Sequence, residues 1–374
     1  MAAARATAAI LHRRALNRAT LARQMLLERA ALDPVEAVKR LVGLQAQTTH
    51  SWYLTLWSRL CDFDPIATGR LLEERRLLRM TLMRATIHLV ADDDAPILRR
   101  FSQPAIERLL RGTFGRQLGG VEMDELAGMV RSAVADGART LPELTDVVAA
   151  RWPGMDRFAL SQAVKGYAPL IHAPPRGVWG RSGAVRLADL EAWLGRAVPE
   201  TVDPGPIILR YLGAYGPASA MDAQTWSGLT RLGEIFERLR PDLLTFRDAD
   251  GRELFDLPDA PRPDPDTPAP PRLLADYDNL LLSHADRTRF VGEVERAALT
   301  YVSGPIPGAI LVDGTVAGRW FPPRADGNMT LTVELLQPVS PDDEAALRRE
   351  AEGAARFLMG SEGSTPSVVV SQVA

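Results

Sequence analysis

Apolar residues return every three or four positions along most of the chain and alternate only in short stretches, which predicts many short helices punctuated by hairpins. Leu21, Met25 and Leu26 form a first helical stripe after Asn17. Asp33-Pro34-Val35-Glu36 reads as a complete helix start: Asp33 can cap, Pro34 stands where no N–H is needed, and Glu36 closes a capping box. That helix is expected to run through Val38, Leu41, Val42 and Leu44. Ser51 opens a third helix with Trp52, Leu56 and Leu60 on one stripe, and Asp64-Pro65 opens a fourth through Leu71 and Leu72. Leu78 to Val90 then alternates like a strand pair, and helices followed by a strand pair are the order of a winged helix-turn-helix.

The order recurs. Helices are predicted over 124–137, from Thr140-Leu-Pro-Glu and over Arg157 to Tyr167, followed by a Gly-punctuated hairpin from Gly177 to Leu187. A third set covers Pro206 to Ala214, Ser219 to Ser227 and Thr230 to Leu239, with strands from Leu243 to Phe255. The expected fold is mainly α with β hairpins, an α+β chain of three tandem winged helix-turn-helix units in a C-shaped arrangement. Unit one spans 1–95, a helical linker and unit two span 96–200, and unit three spans 201–257. Seven prolines in the seventeen residues from Asp256 to Arg272 forbid helix and central strand, so 258–272 is a Pro-rich linker. A C-terminal β-rich segment, 273–374, follows it. Ile310 to Phe321 turns at Asp313-Gly314, Thr330 to Leu336 is a strand, Pro341 to Leu358 an amphipathic helix, and the tail from Gly360 is expected to fray.

The 374 residues are 46% apolar and 24% charged, the balance of a globular chain. Cys61 is the only cysteine and the five histidines stand singly, so no internal disulfide, metal or cofactor is expected. No apolar run reaches the roughly 18 residues of a membrane helix. The Ala-rich start meets His12, Arg13 and Arg14 where a signal peptide needs its apolar core, so the expected setting is cytoplasmic. The net charge of −3 hides a partition: of 44 basic residues only Lys39 and Lys165 are lysine, and arginine carries the planar fork that suits phosphate. Five arginines lie between Arg99 and Arg116, whereas acid concentrates in 253–278 and 341–351, so local basic faces are expected.

Phosphate-cradling, dinucleotide, nucleophile-elbow and zinc-helix motifs are all missing. The unusual segment is Leu44-Gln45-Ala46-Gln47-Thr48-Thr49-His50. Glutamines two apart lie about 200° apart on a helix but on one side of an extended segment, where both amides can converge on one point. An isolated pair of this kind more often satisfies helix-end carbonyls and loop groups, so context decides its chemistry.

The context is a resemblance. Arg40-Leu-Val-Gly-Leu-Gln-Ala-Gln, followed by a Trp-containing helix, resembles the signature of the AlkZ-type winged-helix DNA glycosylases. Met83-Arg-Ala-Thr-Ile-His-Leu-Val, Pro175-Arg-Gly-Val-Trp-Gly-Arg-Ser-Gly, Leu280-Leu-Leu-Ser-His-Ala-Asp-Arg and Val312-Asp-Gly-Thr-Val-Ala-Gly-Arg-Trp are similar to its other segments, in order, over about residues 15 to 360. The resemblance implies removal of bulky N7-alkylated purines, in some members unhooking of interstrand crosslinks, with Gln45 and Gln47 as the catalytic pair. Some relatives carry Asp at the second position. Gln47 puts this chain with the glutamine-pair branch, which is tied to self-resistance against genotoxic natural products.

Residue chemistry is consistent with that transfer. A neutral amide is no general base, yet its carbonyl orients water and its NH₂ donates to sugar or phosphate. Such a site needs a good leaving group. An N7-alkylguanine is cationic and leaves neutral, so the glutamines predict cationic adducts rather than ordinary bases or uracil. Bulky adducts in turn suggest an open cleft.

Further DNA contacts are expected from Arg84 and His88, which as strand residues would share one face, although His88 can instead bond within its hairpin. Arg176, Arg181 and Arg186 bracket Trp179 as solvated or phosphate-binding arginines. Arg319 with Trp320 would probe the minor groove unless Trp320 belongs to the core. Asp278, His284, Asp286 and Arg287 read as a structural network, and Trp52 and Trp57 as core. The expected partner is double-stranded DNA carrying alkylated purines, met by a monomer. The rival reading is a non-enzymatic winged-helix regulator, against which stands the lack of a dimerising coiled coil or effector domain. A third is a module that sequesters a genotoxic metabolite.

Overall fold

The computed structural model describes residues 9–300, 306–322, 330–359 and 367–373. Helix Pro34–Arg40, strand β1 (Leu44–Gln45), helices Ser51–Trp57 and Pro65–Glu73, and strands β2 (Leu77–Thr81) and β3 (Ile87–Ala91) follow in order, and β1 pairs antiparallel with β3. Asp33 accepts from Val35 N–H, and Asp64 from Ile66 and Ala67 N–H, as the sequence predicts, but the expected capping box is corrected: Glu36 faces Lys39 at 3.5 Å instead of closing on Asp33. The same order returns with helix Met123–Ala133, β4 (Arg139–Thr140), helices Leu141–Arg151 and Arg157–Tyr167, β5 (Leu170–Ala173) and β6 (Arg186–Asp189), where β4 pairs with β6. It returns again with helix Pro204–Tyr215, a bridge from Ala218 to Phe255, helices Ala220–Ser227 and Gly233–Leu239, and the hairpin of β7 (Leu244–Arg247) and β8 (Glu253–Asp256).

Pairing of Met80 with Ile171 joins β2 to β5, so the first two sets share one six-stranded sheet in the order β1-β3-β2-β5-β6-β4. Beyond the Pro-rich segment, β9 (Arg272–Leu274), β10 (Gly308–Val312), β11 (Thr315–Phe321), β12 (Thr330–Leu335) and β13 (Ser367–Gln372) form a second sheet. Helix Pro341–Met359 covers it through Leu347, Ala351, Ala354 and Ala355.

Four further expectations are corrected. Asn17 lies inside helix Arg13–Arg23, where its buried amide donates to the carbonyls of Arg289 and Gly314. The helix from Pro34 stops at Arg40, for a reason given below. The hairpin placed over Gly177 to Leu187 is built from β5 and β6 instead; Pro174 and Pro175 donate no N–H, and Gly177 and Gly180 adopt positive φ, so this stretch forms the connection. The tail expected to fray from Gly360 is corrected only at 367–373, where β13 runs parallel to β12 and half-buries Val368 and Val370 while Val369 faces out; 360–366 and 374 lie outside the described residues.

Two buried ion pairs tie distant segments together. Arg23 meets Asp256 at 2.6 and 2.9 Å, and Arg59 meets Asp278 at 2.9 and 2.8 Å, all four side chains essentially without exposure. The turn Asp313-Gly314 is occupied by the first helix: Asp313 pairs with Arg14 and Arg18, and a Cβ on Gly314 would come within 2.5 Å of Asn17 Oδ1. This end of the β10–β11 hairpin is therefore packed on protein. Among the described residues no helix is long and apolar enough to cross a membrane.

Candidate active site

The glutamine segment is extended because the helix before it is cut short. Val42 and Gly43 take left-handed φ of 55° and 88°, and a Cβ at Gly43 would stand 2.8 Å from Val90 Cγ1, so glycine is required there. The chain leaves this turn as β1, with Leu44 and Ala46 turned into the core and Gln45 and Gln47 alternating with them. Asn279 holds the segment from behind: its Nδ2 donates to Gly43 O at 3.0 Å and its Oδ1 accepts from Gln45 N–H at 3.3 Å.

Both amides are oriented by groups that can only donate. Gln45 Oε1 accepts from Arg84 Nη2 at 2.7 Å, and Gln47 Oε1 accepts from Ile87 N–H at 3.2 Å. A guanidinium and a backbone N–H leave no ambiguity between oxygen and nitrogen, so each Nε2 is the end turned away from its partner. The two are not equivalent. Gln45 is only 6% exposed, whereas Gln47 is exposed and lines a cavity of about 780 Å³ with Thr48, His50, Trp179, Asp276 and Trp320.

Arg84 sits in the turn between β2 and β3 at φ 55°, not on the β3 face where alternation would put it. Its guanidinium donates to the Trp226 carbonyl and to Gln45 but meets no carboxylate among the described residues. Burial pushes its pKa down to about 10. Half-buried Arg287 also has no carboxylate partner among the described residues and is near enough to repel Arg84. Its expected place in a network with Asp286 is corrected, because Asp286 pairs with Arg252 at 2.6 Å. The rest of that network stands: Asp278 binds Arg59, and buried His284 bonds the Tyr215 carbonyl at 3.0 Å. Two neighbouring cations without a carboxylate partner among the described residues, one of them bonded to Gln45, favour an anion.

His88 is the clearest departure among the expected contacts. It is 0% exposed, so it presents no surface to DNA. Its Nδ1 lies 3.0 Å from the Thr86 carbonyl, an acceptor, so Nδ1 carries the hydrogen and the unpartnered Nε2 stays bare. Burial, with Arg84 nearby, lowers its pKa to about 3 from 6.5. The native state thus keeps a neutral ring while the unfolded chain takes up a proton as pH falls below 6.5. Stability is complete above that value and declines below it, by up to about 1.4 kcal/mol per pH unit. Urea unfolding of the wild type and His88→Gln between pH 7.5 and 4.5 should show a shallower decline in the variant; parallel curves would refute the assignment.

The remaining arginines are scattered. Arg176 donates to Gly183 O at 2.9 Å and lies close enough to His50 to affect its charge; Arg181 pairs with Glu73, and Arg186 donates to Ala138 O at 3.0 Å. Arg319 is half-buried in β11, held by Glu334 at 2.7 Å and the Ala298 carbonyl at 2.9 Å. Trp320 is buried and donates to Leu274 O at 2.8 Å. Expectation of an exposed Arg319–Trp320 probe is corrected, since alternation along a strand does not reveal a cross-strand carboxylate. Trp52 is core as expected; Trp57 is partly buried and stacks on Phe357.

Asp276 and Asn279 were missed. Both stand in Ala275-Asp-Tyr-Asp-Asn, immediately before the Leu280 to Arg287 segment, and that adjacency was the only available signal.

The profile of the family described as "DNA glycosylase AlkZ-like" matches residues 38–357, which takes in β1, the glutamine pair and the cavity wall except Leu358 and Met359. The chain belongs to the AlkZ-like DNA glycosylase family. Within that family's range, the interstrand DNA cross-link repair glycosylase of Streptomyces sahachiroi is 28% identical over 361 residues, covering 90% of this chain and 95% of the relative. The solved structure of Streptomyces sahachiroi DNA glycosylase AlkZ has a TM-score of 0.77 at 21% identity, over 97% of this chain and 100% of that one, and so shares the fold.

Proposed function

We propose that this AlkZ-like chain is a monofunctional glycosylase that hydrolyses the N-glycosidic bond of bulky, cationic N7-alkylpurines in double-stranded DNA. The observation that carries this reading is the glutamine pair with its carbonyls pinned by pure donors. Neither amide can protonate a departing base, so the base must arrive already charged. A cavity of about 780 Å³ beside Gln47 accommodates a large substituent, and Arg84 and Arg287 supply charge for a flanking phosphate. We assign the thrice-repeated order of helices and strands to winged-helix units facing the duplex, with Arg176, Arg181 and Arg186 as further backbone contacts. By likeness to the Streptomyces relative, the substrates extend to interstrand crosslinks; the resemblance of the Gln45–Gln47 motif to the glutamine-pair branch is what supports self-resistance to a genotoxic natural product as the setting.

Single-turnover incubation with duplex DNA carrying one N7-alkylguanine, in methyl and bulky versions, tests the reading. Free modified base and an alkali-labile abasic site are the expected products. No release from any adduct, joined to footprint protection of a defined undamaged sequence, would replace the enzyme with a regulator.

A further inference from the structure

Hydrolysis by the proposed route leaves one proton unaccounted for. The C1′–N9 bond breaks with its electron pair going to the cationic purine, which departs neutral, and a water oxygen bonds to C1′. The water must then lose a proton, and an amide of Gln45 or Gln47 is too weak a base to hold it. Among the described residues, the titratable groups lining the cavity beside Gln47 are His50, Asp276 and Tyr277. Tyr277 is pushed above its ordinary value by burial and remains a neutral phenol. His50 is lowered by burial and by nearby Arg79 and Arg176, and its Nε2 faces the Val178 carbonyl at 3.3 Å. Protonating it would place another cation beside those two.

Asp276 is different in each respect. The hydroxyl of Thr48, the residue directly after Gln47, donates to its Oδ2, which anchors the carboxylate in the wall of the cavity that the exposed amide also lines. Ser51 supplies a second hydroxyl contact. Tyr277 is held at φ 57°, a left-handed conformation that a tyrosine adopts only under constraint, so the backbone beside the carboxylate is tightly fixed. Burial raises the Asp276 pKa against the opposing hydroxyl bonds, making it a better proton acceptor than a surface aspartate.

We propose that Asp276 is the general base of the excision reaction, accepting on its carboxylate the proton of the water that attacks C1′ while Gln47 positions that water. The inference rests on the glycosylase reading above. In the ionised state the same carboxylate also faces the positive charge that develops on the sugar. The proton passes to solvent when the product leaves.

The test is single-turnover excision from a duplex carrying one bulky N7-alkylguanine, followed from pH 5 to 8 for the wild type, Asp276→Asn, Asp276→Glu and His50→Gln. Asparagine keeps an acceptor for the Thr48 hydroxyl, and melting temperature and lesion-duplex affinity are measured alongside. Asp276→Asn should lose roughly 10²–10⁴-fold in rate with affinity and melting temperature unchanged, and Asp276→Glu should recover part of it. The acid limb of the wild-type profile should persist in His50→Gln and vanish in Asp276→Asn. An asparagine variant at the wild-type rate, a rate loss matched by lost affinity or melting temperature, or a limb that disappears with His50 would overturn the assignment. A wild type that releases no base would remove the glycosylase reading and this proposal with it; an active wild type with an unaffected Asp276→Asn would remove the proposal alone.

Discussion

Asp278→Ala is expected to lower the free energy of unfolding by about 3–5 kcal/mol, the cost of stranding a buried cation. Arg59 and Asp278 are 1% and 0% exposed at the side chain and joined by two bonds of 2.9 and 2.8 Å. Arg59 has two other acceptors, Thr55 O at 3.0 Å and Gln24 Oε1 at 3.2 Å, neither of them charged. Alanine would leave a guanidinium in the core with no counter-charge. It would also remove the acceptor for Leu280 N–H at 3.0 Å, in the turn that carries Asn279. Since Asn279 holds Gly43 and Gln45, excision should weaken together with stability. Replacing both partners, Arg59→Met with Asp278→Leu, should restore a good part of the loss, because an apolar pair leaves no orphaned charge. Urea unfolding decides the matter: a change below about 1 kcal/mol for Asp278→Ala would show that the interior tolerates the cation.

What the sequence disclosed and what it concealed divide along a physical line. Helix starts were legible because a cap is a local device, as Asp33, Asp64 and Thr140 show. The end of the helix after Arg40 was not. Leu41, Val42 and Leu44 continue the apolar stripe, and only the approach of Val90, about fifty residues on, makes Gly43 the residue that breaks it. The same limit explains the side chains. An alternating strand states which residues share a face but not whether that face meets water or core, so His88 looked accessible and is fully buried. Arg319 looked free because Glu334 belongs to another strand. The glutamine pair was recognisable from its motif, whereas Asp276 was invisible. An aspartate becomes a candidate base through its cavity and its partner hydroxyls, and both are products of the fold.

Gln47→Ala should reduce single-turnover excision by roughly a hundredfold or more while leaving the fold and lesion-duplex affinity nearly untouched. The side chain is exposed, and its one bond among the described residues is to Ile87 N–H at 3.2 Å, at a site where water can replace it. Removing it therefore costs little stability, yet it removes the amide that stands at the cavity and orders the attacking water. Gln45→Ala has to behave differently. Its carbonyl satisfies one arm of Arg84, which is deeply placed and has no carboxylate partner among the described residues, so truncation leaves that arm unpaired and should cost about 1–3 kcal/mol. Loss of activity in Gln45→Ala would then mix chemistry with a loosened turn, and only Gln47→Ala isolates the chemical contribution. The decisive comparison is excision rate against melting temperature for the two variants. A Gln47→Ala protein that excises at the wild-type rate, or whose melting temperature falls as far as that of Gln45→Ala, would remove the exposed glutamine from the reaction and leave the buried one as a structural strut.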